Sequence, residues 1–212
     1  MRLYIALIFI LSFTSCKTIS YFNTPNDVFK ENSAVYLTDG TVAKGMLTVN
    51  FETGRDAKDY IILQEGPADK KIKLANIEYY KIGNTSYHLK KVDVLLNDFQ
   101  QLLFVKRLTP DSSRAHFYEL YQQKSKSPDG REYYYYFVSL PGYDRLVAYN
   151  IASKYFQPKF DEKVSKMFLD CMPVATRIRN RESGFYLQTF TLSDKKKVAV
   201  WQRIIKEYNQ CR

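Results

Sequence analysis

Short apolar runs separated by turn residues fill the chain from Ser33 to Ala148, and a longer period replaces them afterwards. Ser33–Thr38 reads as a strand, and Asp39-Gly40 separates it from a second run, Thr41–Asn50. An Asp-Gly step between two such runs predicts a hairpin, because both turn residues tolerate positive φ. Tyr60–Leu63 is a short strand of the buried type. Ile72 and Leu74, then Ile77 and Tyr79, predict a strand pair broken near Asn76. Gly83-Asn84 divides Glu78–Ile82 from Thr85–Val92 as a second tight hairpin. Gln101–Leu108 and Ala115–Tyr121 continue the pattern. Ser127-Pro128-Asp129-Gly130 has turn chemistry and joins Phe117–Gln123 to Arg131–Leu140.

The last of these strands holds Tyr133-Tyr134-Tyr135-Tyr136-Phe137. Side chains alternate across a strand, so both of its faces are aromatic. That pattern predicts a central strand covered on both sides. The functional alternative is an aromatic platform for a glycan or a base.

From Ile151 the spacing becomes helical. Phe156, Phe160, Val164 and Phe168 recur every fourth residue, with Pro158 near the start, where a proline is tolerated. Asp170 is a candidate N-cap for a short helix around Pro173–Arg181. Asp194, Val198, Trp201, Ile204, Ile205 and Tyr208 mark a final amphipathic helix. Helices that follow strands, rather than alternating with them, predict an α+β fold. It consists of an antiparallel β-rich body over residues 33–148 and about three C-terminal helices. A subdomain break near Ala148–Ser153 and one compact unit over residues 33–212 are both compatible with the pattern.

Composition supports this reading. The 212 residues include 18 Tyr and 14 Phe against 1 Trp, and such residues favour pleated, half-buried surfaces. The 45% hydrophobic and 25% charged content is that of a folded domain and excludes wholesale disorder.

Residues 1–15 have the form of a signal peptide. Met1 and Arg2 give a positive start, and Leu3–Phe13 is an apolar run of secretory length, too short to span a bilayer. Thr14 and Ser15 are small, and Cys16 follows. The segment resembles a bacterial lipoprotein signal, in which cleavage occurs just before a lipid-modified cysteine. The resemblance implies lipidation of Cys16 and a membrane anchor of two or three acyl chains, enough for stable attachment. Plain secretion and a buried N-terminal strand are the alternatives. Lys17 stands where an Asp would, by the same resemblance, hold the protein at the inner membrane. The acidic cluster of a surface-export signal is absent from Lys17–Ser20. The expected place is therefore the outer membrane, facing the periplasm. Residues 16–32 then form the lipidated N-terminus and a tether, with Tyr21–Asn32 leading to the folded part.

With Cys16 assigned to lipid, Cys171 and Cys211 remain as an even pair in an oxidising compartment. One disulfide is the expected outcome. Two thiols that never meet, or a catalytic thiol, are the other readings.

Charge changes the picture of the second half. The formal net charge is +10, and residues 1–100 carry 12 Lys/Arg against 11 Asp/Glu. The excess therefore lies in residues 101–212, notably at Arg177, Arg179, Arg181, Lys195, Lys196 and Lys197. Arg177 and Arg181 at helical spacing, with Lys195, Lys196 and Lys197, make a candidate patch for an anionic ligand. A secreted protein is not expected to meet nucleic acid, so anionic lipid head groups, envelope phosphates or acidic glycans are the candidate ligands. A solvated face is the plain alternative.

Catalysis has no motif behind it. There is no His-Glu-x-x-His, Gly-x-Ser-x-Gly or phosphate-loop pattern. His88 lies in a predicted strand and His116 at a strand start, positions typical of packing or surface residues. No cofactor or metal is expected. The reading is a non-enzymatic envelope lipoprotein with an interaction or scaffolding role. A periplasmic binding module for anionic or glycan ligands is the alternative, and a hydrolase without a recognised motif is the second.

Three places together resemble the β-rich envelope lipoproteins of the Bacteroidota. They are the start ending at Cys16, the strand run Val35–Gly45 with Ile82-Gly83 and Tyr87, and the tail. The tail reads Phe168-Leu169-Asp170-Cys171-Met172-Pro173, then Ile204–Cys211. That group has no assigned activity, so the resemblance carries over no catalytic or binding residue. It adds support to a Cys171–Cys211 pairing.

Overall fold

The computed structural model describes residues 24–51, 58–93, 100–123, 132–142, 146, 159–188 and 193–211. The lipoprotein-like start with Cys16, the Ser127–Gly130 turn, Phe156, Pro158 and the candidate break near 148–153 lie outside them.

Nine strands form one antiparallel sheet: β1 (Asp27–Leu37), β2 (Val42–Asn50), β3 (Tyr60–Glu65), β4 (Ala68–Lys73), β5 (Ile77–Ile82), β6 (Thr85–Asp93), β7 (Gln100–Arg107), β8 (His116–Gln123) and β9 (Glu132–Ser139). Their order across the sheet is β4-β3-β2-β1-β5-β6-β7-β8-β9. Three helices follow: α1 (Phe160–Met167), α2 (Met172–Arg179) and α3 (Asp194–Gln210). The β-rich α+β reading holds.

The expected turns are in place. Gly40 takes φ 84° between β1 and β2, and Asp39 Oδ1 accepts from the Thr41 amide at 2.9 Å. Gly83 takes φ 55° in the two-residue β5–β6 turn. A 3-10 turn at Leu74–Asn76 makes the break between β4 and β5, which stand on either side of β3-β2-β1 rather than side by side.

Two boundaries move. β1 begins at Asp27, so the segment read as a tether ends in paired strand: Val28 is buried opposite Val49. A bulge hides this from the sequence. Lys30 takes φ 51°, and the register slips between Val28 and Glu31, which breaks the apolar alternation. β9 ends the strand order instead of lying centrally. Its two faces are still covered differently: Val138 and Tyr136 pack toward the helices, and Phe137 and Tyr135 pack the other way. Tyr134 is 47% exposed.

Three buried clusters organise the molecule. Val35, Leu47, Leu63, Tyr80 and Phe104 belong to a core on one face of β1–β7. The sheet curls over that core and is fastened by Asn26. Its side chain donates to the Phe104 carbonyl at 3.0 Å and accepts from the Phe104 amide at 2.7 Å. A single side chain thus fills a backbone pairing position on β7, leaving neither buried group unsatisfied. The Tyr80 hydroxyl donates to the Pro25 carbonyl at 2.7 Å and steadies the same crossing.

The Lys106↔Glu119 pairing places Phe117 on the face that carries Phe104. There the helices cover β8 and β9 through Phe160, Val164, Phe168, Ile178, Trp201 and Ile204. Asn209 repeats the fastening at this end, accepting from the Ala115 amide at 2.7 Å and donating to its carbonyl at 3.0 Å. The third cluster, with Leu103, Val105, Tyr118, Leu120 and Phe137, lies on the opposite face.

The helix ends correct one expectation. Asp170 does not cap α2, whose N-cap is Cys171. The Asp170 carboxylate instead accepts from the Tyr208 hydroxyl at 2.6 Å and pairs with Arg114. Burial and that hydrogen bond push the Tyr208 hydroxyl up to about 12, so it stays a donor. Tertiary partners outcompete a local cap here. α3 is capped by Ser193, which accepts from the Lys196 amide.

Candidate functional site

Cys171 and Cys211 come together at disulfide distance, with sulfurs 2.05 Å apart and a sequence separation of 40. The pair joins the start of α2 to the end of α3. Closing a loop of that length stabilises a fold by about 4 kcal/mol in the chain-entropy account.

α2 ends at Arg179, and Arg181 turns into the left-handed region at φ 57°, so Arg177 and Arg181 are not successive turns of one helix. Arg177 bonds Glu182 at 2.8 Å, pairs with Glu207, and lies over the Phe185 ring at 3.9 Å. Arg181 meets Asp161 at 3.0 Å and lies over the Tyr186 ring. These carboxylates raise both guanidinium pKa values, the Glu182 and Asp161 hydrogen bonds most. Lys195 and Lys196 are exposed in the first turn of α3, and Lys197 is buried. Two of the five expected residues are therefore already neutralised within the fold.

A second basic locus lies on the outer face of the sheet, and single-sequence reading did not find it. Tyr36 of β1 stacks on Tyr79 of β5 at 4.2 Å, and Tyr79 stacks on His88 of β6 at 4.7 Å. His88 meets Tyr118 of β8 at 5.9 Å, and His116 meets Tyr118 at 6.1 Å. Lys81 Nζ lies 5.3 Å from the Tyr36 ring centre, and Lys90 Nζ 5.8 Å from that of Tyr118. Neither lysine has an ion pair among the described residues.

Register explains the convergence. Lys81 pairs with Ser86, the Tyr87↔Lys106 pairing puts Arg107 next in line opposite Ser86, and Arg107 pairs with Tyr118. One cross-strand row thus runs Lys81, Ser86, Arg107, Tyr118. His88 and Lys90 follow Ser86 on the same face by alternation. The Arg107 side chain is only 8% exposed and pairs with Asp111, yet its buried Nε has no hydrogen-bond partner. His88 is 4% exposed, and its Nε2 also has none.

This environment shapes the titrations. Burial, then the charges of Arg107, Lys90, His116 and Lys81, push His88 down to about 3. His116 is lowered by burial and by Arg107 and Lys90. Burial raises Tyr118 to about 12 and moves Tyr79 in the same direction. At neutral pH the face therefore carries neutral imidazoles, protonated phenols and cations. The rings stack on one another, so their faces are occupied and the row is poorly shaped as a sugar platform.

The sequence signal for this site was two-residue alternation, Tyr79 with Lys81 and His88 with Lys90. It was hidden because the members come from five strands. Among the described residues no group of three His, Cys, Asp or Glu comes close enough to hold a metal. No helix there is long and apolar enough to cross a membrane.

Comparison with known proteins adds no relative: no family model, no curated protein and no solved structure matches the chain.

Proposed function

We propose that this chain is a non-enzymatic cell-envelope lipoprotein, attached to a membrane through lipid on Cys16 and acting by interaction or scaffolding. The observation that carries this reading is the N-terminal order of positive start, apolar run, small residues and cysteine. The Cys171–Cys211 pair supports the same compartment, since disulfides persist in the periplasm and at cell surfaces. The place is the periplasmic side of the outer membrane. A metabolic palmitate probe tests the anchor. Label is expected on the wild type and absent from Cys16→Ser or after globomycin. Unlabelled wild type, or equal label on Cys16→Ser, would overturn it.

A second reading, a periplasmic binding module for an anionic ligand, is favoured by Lys81 and Lys90, which have no ion pair among the described residues, and by the buried Arg107 Nε without a hydrogen-bond partner on the same sheet face.

A further inference from the structure

We infer that the row Lys81, Ser86 and Arg107 on the outer face of β5–β7 is a binding site for a phosphate group. The inference deepens the binding reading above, rests on it, and does not depend on the lipid anchor. Three observations converge on it.

First, the donors share one face. Register sets Lys81, Ser86 and Arg107 at neighbouring positions on three adjacent strands, with their side chains on the same side of the sheet. A phosphate group, free or esterified, takes charge-assisted hydrogen bonds from guanidinium, ammonium and hydroxyl donors at once.

Second, the charge is under-compensated. Lys81, Lys90 and Arg107 lie around one row of rings. The carboxylates acting there are Asp111, which is exposed and paired with Arg107, and Glu78, which acts on Lys90. The tyrosine ring faces under Lys81 and Lys90 attract these cations but carry no net charge, so the excess positive charge remains.

Third, buried polar capacity is left over. Arg107 Nε and His88 Nε2 both lack a partner, although folds rarely leave such groups unsatisfied. A phosphate oxygen at the row would accept from Arg107 Nε. The same charge would relieve the cationic pressure on His88.

The chain has 2 histidines, so its imidazole NMR signals report the site with little overlap. The experiment titrates the full-length chain in detergent with inorganic phosphate. In a second arm it is given vesicles of phosphatidylglycerol in phosphatidylcholine, against phosphatidylcholine alone. A saturable shift of the His88 signal is expected. Lys81→Met and Arg107→Gln each weaken it at least tenfold, while the Lys195→Ala/Lys196→Ala double variant leaves it unchanged. Lys81 is half-exposed, so its replacement keeps the test usable if Arg107→Gln does not fold. Response to free phosphate assigns a soluble phosphate ligand, and response to the anionic vesicles alone assigns a lipid head group. No saturable shift in either arm, or an unchanged one in Lys81→Met, overturns the proposal. The palmitate result for Cys16 stands or falls separately.

Discussion

At the helical end, arginines meet carboxylates: Arg114 with Asp170, Arg177 with Glu182 and Glu207, Arg181 with Asp161, Arg203 with Glu207. On the sheet face the lysines meet rings: Lys81 lies over Tyr36 and Tyr79, and Lys90 over Tyr118. The helical end is where the sequence concentrates positive charge, yet Arg114, Arg177, Arg181 and Arg203 are each met by a carboxylate of the same fold. The sheet face has fewer cations; Arg107 is buried against Asp111, and Lys81 and Lys90 have no ion pair among the described residues. A run of basic residues is thus a poor guide to where a chain has charge to offer. Pairing in three dimensions decides that.

The largest effect that separates the two regions is loss of the disulfide. Replacing Cys171 and Cys211 by Ala should cost about 2–5 kcal/mol in denaturant unfolding. The phosphate response of the sheet face should persist below the transition, because that face draws no residue from the helices. Loss of the response in the folded double variant would break the separation.

Next in size is an acid dependence that belongs to the sheet face. His88 stays neutral in the fold down to about 3, whereas an ordinary histidine protonates at 6.5. Between those values the unfolded chain binds the extra proton, so stability is full above the window and falls as pH drops through it. The slope from this one group is at most about 1.4 kcal/mol per pH unit. Unfolding curves from pH 7 to pH 4 should be flatter for His88→Asn than for wild type, and equal slopes would contradict the assignment.

The smallest effect is at Arg177. Arg177→Met should lower the melting temperature slightly, because Glu182 and Glu207 lose a shared partner, and should leave the phosphate response intact. Any weakening of that response would mean that the two basic regions act together.

What the sequence made legible follows the range of the interactions. The Asp39-Gly40 and Gly83-Asn84 turns are local chemistry, and the structure keeps both. The face of α3 was readable because Trp201, Ile204, Ile205 and Tyr208 recur at the helical period and are buried. The start of β1 was obscured by one bulge at Lys30. Asp170 was misassigned because its partners, Arg114 and Tyr208, are far along the chain. The sheet-face row was invisible for the same reason on a larger scale. Tyr36, Lys81, His88, Arg107 and Tyr118 become neighbours only through strand register, which a single sequence does not state.

The most direct test of the sheet-face charge is the titration of His88 itself, followed by imidazole NMR in wild type, Lys81→Met and Arg107→Gln. Titration near 3 in wild type, moving upward in both variants and upward again when phosphate is added to wild type, is the predicted result. Titration at the ordinary value of 6.5 in all three chains, indifferent to phosphate, would contradict it.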